Sequence, residues 1–325
     1  MQTRQLGRTD LHITAIGFGA WAIGGEWRFG WGPQDDTDSI AAIRQAVSRG
    51  MNWIDTAPAY GLGHSEEVVA SALADIPRAD RPYVFTKCSL VWGEDRVVTH
   101  DVSGPSIRRE VEESLRRLQM DAIDLYQIHW PRWHSAPAPS PGSVAEAWET
   151  LADLKQQGKV RHIGVSNFTV NDLETAEAIA PVGSLQPPYS MLRRGIEADL
   201  LPYCRDKNIG VLGYSPMLSG LLTGAMTRER IAALADSDWR RNNKEFQEPQ
   251  LSANLVLVDL LRAIGARHGR SAGEVAIAWT LRHPVVTAAI VGGRSAAQVD
   301  GVVGAAGFTL SSGELAEIEH ALPRA

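Results

Sequence analysis

Apolar residues recur along this chain in two alternating periods. Short runs apolar at nearly every position, such as M-N-W-I at 51–54, are separated by longer stretches whose apolar residues fall three and four apart, such as Ile40, Ile43 and Val47 before the stop at Gly50. At the start, Thr3 to Leu6 and Leu11 to Ile13 flank the turn-forming G-R-T-D and predict a hairpin, after which a strand continues over Ile13 to Gly19. Predicted strands then alternate with predicted helices: Met51 to Asp55 with Ser65 to Leu73, Tyr83 to Lys87 with Ser103 to Leu118, Ala122 to Ile128 with Val144 to Gln157, and Val160 to Val165 with Thr169 to Ile179. The pattern goes on with Ser184 to Gln186 and Glu197 to Lys207, Ile209 to Tyr214 and Asn254 to Arg267, and Thr287 to Val291 and Ala296 to Gly304. Helices over Gly273 to Leu281 and Gly313 to Ala321 add no strand.

The strands are short and apolar, as strands buried on both faces are. Eight such units in 325 residues predict an α/β fold, a (β/α)8 TIM barrel with an N-terminal hairpin and two extra helices, filling 1–325 as a single domain. A doubly wound dinucleotide fold is disfavoured, because Gly17-Phe18-Gly19 and Gly61-Leu62-Gly63 both break the G-x-G-x-x-G spacing. Three loops exceed the minimal repeat. One carries Trp21, Trp27 and Trp31 among glycines, one is the proline-rich Pro131 to Gly142, and one runs from Ser215 to Leu251, a length usually tied to function.

Composition narrows the class of partner. A net charge of -6 with scattered Lys and Arg argues against nucleic acid. No run of 18 apolar residues suggests a membrane span, and M-Q-T-R-Q-L-G lacks a signal-peptide pattern, so a cytoplasmic protein is expected, with a monomer as the default. Cys88 and Cys204 lie far apart, which favours reduced, buried thiols over a disulfide or metal site.

Barrel active sites lie at the C-terminal strand ends. Strand two ends in Asp55, with Tyr60 in the loop that follows; strand three ends in Lys87 and strand four in His129. With strands about 4.8 Å apart, these groups share one mouth. Each alone reads as a turn former, a packing residue or a solvated charge. Together they suit proton donation by a phenol: Lys87 would lower the pKa of Tyr60, Asp55 would hold Lys87, and His129 would orient a carbonyl oxygen. A phenol that protonates oxygen implies a hydride delivered to carbon, hence a cofactor. Its cradle is expected from Ser166-Asn167 and Gln186 at a carboxamide and from Tyr214 as a stacking ring. Ser215, Met217, Ser219 and Gly220 would offer backbone N–H groups to phosphates, with Gly292 to Ser295 at a helix N-terminus. Arg294 there favours NADPH over NADH, which is kept as the weaker alternative.

D-T-A-P-A-Y-G (Asp55 to Gly61), Lys87, D-L-Y-Q-I-H-W (Asp124 to Trp130), G-V-S-N-F (Gly164 to Phe168) and Y-S-P-M-L-S-G-L-L-T-G (Tyr214 to Gly224) resemble the signature segments of the aldo-keto reductases. The resemblance runs over essentially the whole chain. Q-P-P-Y (Gln186 to Tyr189) and W-R-R-N-N-K-E-F-Q-E-P (Trp239 to Pro249) are similar to the bacterial general-stress and inositol-utilisation reductases. It implies NADPH-dependent reduction of a small-molecule carbonyl substrate by a catalytic tetrad matching Asp55, Tyr60, Lys87 and His129, with Tyr60 as proton donor. It also implies cofactor contacts from Ala20, Trp21, Asp55 and Gln298, and a substrate pocket lined by Trp21, Trp92 and Trp130. The match departs at Gly301-Val302, where many members carry an acidic residue and Asn that bind the adenine.

Three rivals remain open, two from the residues and one from the resemblance. Lys87 could be a Schiff-base nucleophile of an aldolase-type barrel. A metal-dependent hydrolase is weaker, since strand one offers no H-x-H and His134 lies in a loop. A nicotinamide-sensing regulatory subunit, like the channel β-subunits of the same family, would bind cofactor and turn over slowly.

Overall fold

The computed structural model describes residues 1–325 except 26, 28, 29, 134, 136–138, 237 and 323–325, so His134 lies outside the described residues. Eight parallel strands close into a barrel: β1 Ile16–Gly19, β2 Trp53–Asp55, β3 Tyr83–Cys88, β4 Ile123–Ile128, β5 Val160–Ser166, β6 Ser184–Gln186, β7 Gly210–Tyr214 and β8 Val286–Gly292. They pair in the order β6-β7-β8-β1-β2-β3-β4-β5, with β5 closing on β6. The helices that follow these strands in turn are α1 Asp36–Ser48, α2 His64–Leu73, α3 Gly104–Leu118, α4 Val144–Gln156, α5 Val170–Glu177 and α6 Leu200–Asp206. The remainder are α7 Arg228–Ala232, α8 Gln250–Arg267, α9 Ala272–Leu281, α10 Ala296–Asp300 and α11 Ser312–Ala321.

The strand period of two sorts the side chains into two cores. Trp53, Phe85, Leu125, Leu212, Ala288 and Ile290 point into the barrel, where Leu6, Leu11 and Ile13 of the N-terminal hairpin (Thr3–Gln5 with His12–Thr14) join them. Ile54, Val84, Cys88, Tyr126, Ile128 and Val165 point outward and pack under the helices. Trp53 takes this inner place because its neighbour on the adjacent strand β1 is Gly17: a Cβ there would lie 2.0 Å from the indole. The Trp53 N–H donates to the Thr14 carbonyl at 2.9 Å, satisfying the one polar atom of a fully buried ring.

Stepping two residues further along each strand brings the inward positions to the C-terminal mouth. Trp53 leads to Asp55, Phe85 to Lys87, Leu125 to Gln127 and Leu212 to Tyr214. Register holds them level, since Gly19 pairs with Asp55, Lys87 with Gln127 and Ser166 with Gln186.

Two differences from the expected elements matter. The chain after β3 forms an antiparallel hairpin, Leu90–Trp92 with Val98–His100, in place of a loop. The Ser215 to Leu251 segment is not structureless: it holds α7 and 3-10 turns at Leu221–Thr223, Trp239–Asn242 and Lys244–Phe246.

Candidate active site

Lys87 is fully buried, and its three N–H groups are all accounted for: Nζ donates to Asp55 Oδ2 at 2.7 Å, to the Thr56 carbonyl at 2.9 Å and to Tyr60 Oη at 3.3 Å. The second carboxylate oxygen of Asp55 accepts from Gln186 Nε2 at 2.8 Å and from Gln127 Nε2 at 3.5 Å. Tyr60 is placed by its loop: Gly61 has φ +66°, and a Cβ on it would lie 1.9 Å from the Gly24 carbonyl oxygen, so only glycine lets the two backbones meet. His129 meets Tyr60 edge-on at a centroid distance of 5.7 Å. Its backbone is tied on both sides, its N–H to the Cys88 carbonyl at 3.0 Å and its carbonyl to Asn167 Nδ2 at 3.0 Å.

Electrostatics corrects one expectation. Burial raises the Tyr60 phenol well above its ordinary range and the Asp55 charge raises it further, so the net shift is upward despite the ammonium of Lys87 beside it. The physical reason is that Asp55 compensates the ammonium at hydrogen-bond distance while burial penalises the phenolate. Burial likewise lowers the Lys87 ammonium, against the opposing pull of Asp55. His129 is held well below the usual histidine range by burial and then by the charge of Lys87, so its imidazole is neutral. Because Lys87 donates to Oη, the Tyr60 proton is directed away from it and toward the cavity.

That cavity, about 640 Å³, opens over Tyr60 and His129 and runs to Arg294 and Gln298. Ser166, Asn167, Gln186 and Tyr214 line its floor, and Ser215, Met217, Ser219, Gly220 and Gly292 its flank. Tyr214 Oη donates to Asn167 Oδ1 at 2.9 Å, and Ser166 Oγ donates to the Gln186 carbonyl at 2.8 Å.

A protein-family model, the aldo/keto reductase family, matches residues 15–323. The chain belongs to this family. Aldo-keto reductase YhdN of Bacillus subtilis (strain 168) is 37% identical over 323 residues, covering 99% of this chain and 94% of that protein. The NADH-specific methylglyoxal reductase of Escherichia coli (strain K12) is 35% identical over 338 residues, covering 100% of both. Among solved structures, the glycerol dehydrogenase AKR11B4 from Gluconobacter oxydans has a TM-score of 0.87 at 38% identity, covering 98% of this chain and 94% of that one. An aldo/keto reductase from Klebsiella pneumoniae in complex with NADP and acetate has a TM-score of 0.71 at 26% identity, covering 98% and 94%. As an aldo/keto reductase, the chain is an oxidoreductase of carbonyl and CH–OH groups.

Most of the expected site residues of this reductase converge on this cavity, and three expectations need correction. Trp21 and Trp130 line the cavity, whereas Trp92 lies under the Arg117 guanidinium, 6.0 Å from its ring centre, because the unforeseen hairpin turns it toward α3. Ala20 is fully buried, and its carbonyl accepts from Ser65 Oγ at 3.0 Å, so Gly19 and Trp21 line the cavity instead. In the turn after β7 the N–H of Gly220 bonds to the Met217 carbonyl at 3.2 Å, so Gly220 lines the cavity without aiming its N–H at a phosphate.

The sequence pointed to Trp21 and Trp31 in the first loop, but not to Trp239 and Arg240, which join them in the cavity wall. Trp31 and Trp239 flank Trp21 at centroid distances of 5.2 and 6.2 Å, and Arg240 stacks on Trp31 at 4.5 Å while paired to Asp238 at 2.6 Å. The indole N–H groups of Trp31 and Trp239 are buried with no hydrogen-bond partner among the described residues. Arg294 donates to Gln34 Oε1 and to the carbonyls of Trp31 and Pro33, fastening the first loop to the last. Unsatisfied donors beside two guanidiniums suit the anionic half of a dinucleotide, and the amide-rich floor with its tyrosine ring suits a nicotinamide.

Proposed function

We propose that this chain reduces aldehydes and ketones to alcohols with NADPH, NADH being the weaker donor, and that Tyr60 is the proton donor. The observation that carries the reading is the Lys87 ammonium bridging Asp55 and Tyr60 beneath a cavity that also presents His129, Asn167, Gln186 and Tyr214. The bound nicotinamide supplies the hydride. The remaining work falls to side chains. A carbonyl oxygen between Tyr60 and the neutral His129 accepts hydrogen bonds from both, Tyr60 passes its proton to the developing alkoxide, and Lys87 stabilises the phenolate left behind. Asn167, Ser166 and Gln186 would hold the carboxamide, Tyr214 the ring face, and Arg294 with Arg240 the phosphates.

NADPH over NADH is supported by Arg294 and by the NADP-bound Klebsiella relative, and the name of the Escherichia coli relative keeps NADH in view. Six tryptophans line the cavity, namely Trp21, Trp27, Trp31, Trp130, Trp133 and Trp239, which favours aromatic or apolar carbonyls. Every residue of the site comes from one barrel, so a single-domain monomer is a complete catalytic unit, and two separate buried thiols favour the cytoplasm. The aldolase reading is disfavoured by the burial of Lys87 and the engagement of all its N–H groups, which leave no path for attack on a carbonyl.

Tyr60→Phe tests the mechanism. NADPH oxidation with benzaldehyde should fall by about three orders of magnitude while NADPH still binds with unchanged Kd. Retention of near-wild-type turnover would show that another group donates the proton.

A further inference from the structure

Lys87 and His129 sit at the ends of neighbouring strands, and the residues that lead out of those strands are themselves tied together. Ser89 Oγ accepts the Trp130 N–H at 3.3 Å and donates to the Trp130 carbonyl at 3.2 Å. His100 Nε2 lies 2.8 Å from the same carbonyl, and its Nδ1 meets Ser140 Oγ. Ser89 holds a left-handed backbone, φ +83°, which L side chains resist, and it is fully buried. What fixes it comes from behind the barrel. Glu110 of α3, 4% exposed, accepts the Ser89 N–H on Oε2 at 2.8 Å and the Ser106 hydroxyl on Oε1 at 3.0 Å.

We propose that Glu110 is a positioning residue for the carbonyl-binding wall, acting through Ser89 on Leu90 and Trp130. This rests on the carbonyl-reductase reading above. Leu90 follows Ser89 directly and lines the cavity with Trp130, whereas Glu110 lines no part of it. Glu110 therefore touches neither substrate nor cofactor. Without its carboxyl, a buried N–H at a strained residue loses its acceptor, so the chain between β3 and the hairpin relaxes. That shift moves Leu90 and frees Trp130, while the Tyr214, Asn167 and Arg294 side of the cavity keeps its own contacts.

The test compares Glu110→Leu, Glu110→Gln and Ser89→Ala with the wild type. Steady-state reduction of benzaldehyde gives KM and kcat, and tryptophan-fluorescence quenching gives Kd for NADPH and, without turnover, Kd for benzaldehyde on the NADP+-saturated protein. Glu110→Leu should raise KM and Kd for benzaldehyde about tenfold, with kcat within threefold and NADPH Kd within twofold of wild type. Glu110→Gln, whose amide oxygen still accepts the Ser89 N–H, should restore both. Ser89→Ala keeps that acceptor contact but loses the tie to Trp130, so it should weaken benzaldehyde like Glu110→Leu; it carries the test if Glu110→Leu does not fold. Unchanged benzaldehyde affinity in the variants overturns the proposal. So does a parallel loss of kcat, KM and NADPH affinity, which marks a residue needed only for folding, or a Gln variant as impaired as Leu. A wild type that binds benzaldehyde without reducing it refutes the functional reading and leaves the affinity ratios to judge Glu110; one that does not bind it overturns both.

Discussion

Removing the ammonium of Lys87 while keeping its methylenes, Lys87→Met, separates the charge beneath Tyr60 from the shape of the site. The phenolate that forms as Tyr60 releases its proton develops 3.3 Å from Nζ. At an effective dielectric of about 20, one pair of unit charges at that separation attracts by about 5 kcal/mol. Asp55, 2.7 Å from the same Nζ, opposes part of that attraction, which leaves roughly 3 to 4 kcal/mol, or between two and three orders of magnitude in kcat. Loss of the ammonium also strands the buried Asp55 carboxylate, at a cost of about 3 to 5 kcal/mol in stability. The assay is therefore run in pairs: kcat from NADPH absorbance at saturating benzaldehyde, and thermal melts, for Lys87→Met and for the neutral pair Asp55→Asn/Lys87→Met. The double variant should recover stability without recovering kcat. If Lys87→Met stays folded, binds NADPH and keeps kcat within threefold, the ammonium does not stabilise the phenolate and the assigned roles are wrong.

The remaining predictions concern the far end of the cavity and the helix behind it. Arg294→Ala should raise KM for NADPH by on the order of 10- to 100-fold, the worth of one charge-assisted phosphate contact, and change KM for NADH little. An equal loss with both cofactors would assign Arg294 to fastening Trp31, Pro33 and Gln34 instead. Glu110 also carries a pH signature, since burial pushes its carboxyl up to about 7 from an ordinary 4.5. As pH rises from 4.5 to 7 the unfolded chain ionises first and is favoured, so this group costs stability over that window, reaching about 3 kcal/mol above pH 7. Glu110→Gln should therefore gain stability on the wild type between pH 5 and pH 8 in urea titrations. Parallel curves across that range would refute a shifted Glu110.

Much of this site was readable from the chain because a strand buried on both faces leaves few exceptions to its apolar run, and the exceptions are the site. Asp55 follows Trp53 by one strand period, Lys87 follows Phe85 and Tyr214 follows Leu212, so each polar residue inherits the inward direction of the apolar one before it. What did not show was how separate segments meet. The resemblance placed Trp92 in the substrate pocket, yet pairing with Val98 turns it under Arg117. Gln127 and Gln186 both reach one oxygen of Asp55 across 72 and 131 residues of sequence, a convergence set by barrel register alone.

Glu110 is the instructive miss, because a signal for it exists. In α3 the buried positions Ile107, Val111, Ser114 and Leu118 recur at helical spacing, and Glu110 falls within that stripe, on the face turned to the barrel. A carboxyl there must leave water, which is unfavourable unless the fold supplies donors. The Ser89 N–H and the Ser106 hydroxyl are those donors. Glu66 of α2 obeys the same logic, fully buried between the Thr86 hydroxyl at 2.6 Å and Arg117 at 2.6 Å. Both acids brace β3, the strand that carries Lys87, from outside the barrel. One holds its middle at Thr86 and the other its exit at Ser89, and the lysine whose placement the proposed chemistry requires lies between the two anchored residues.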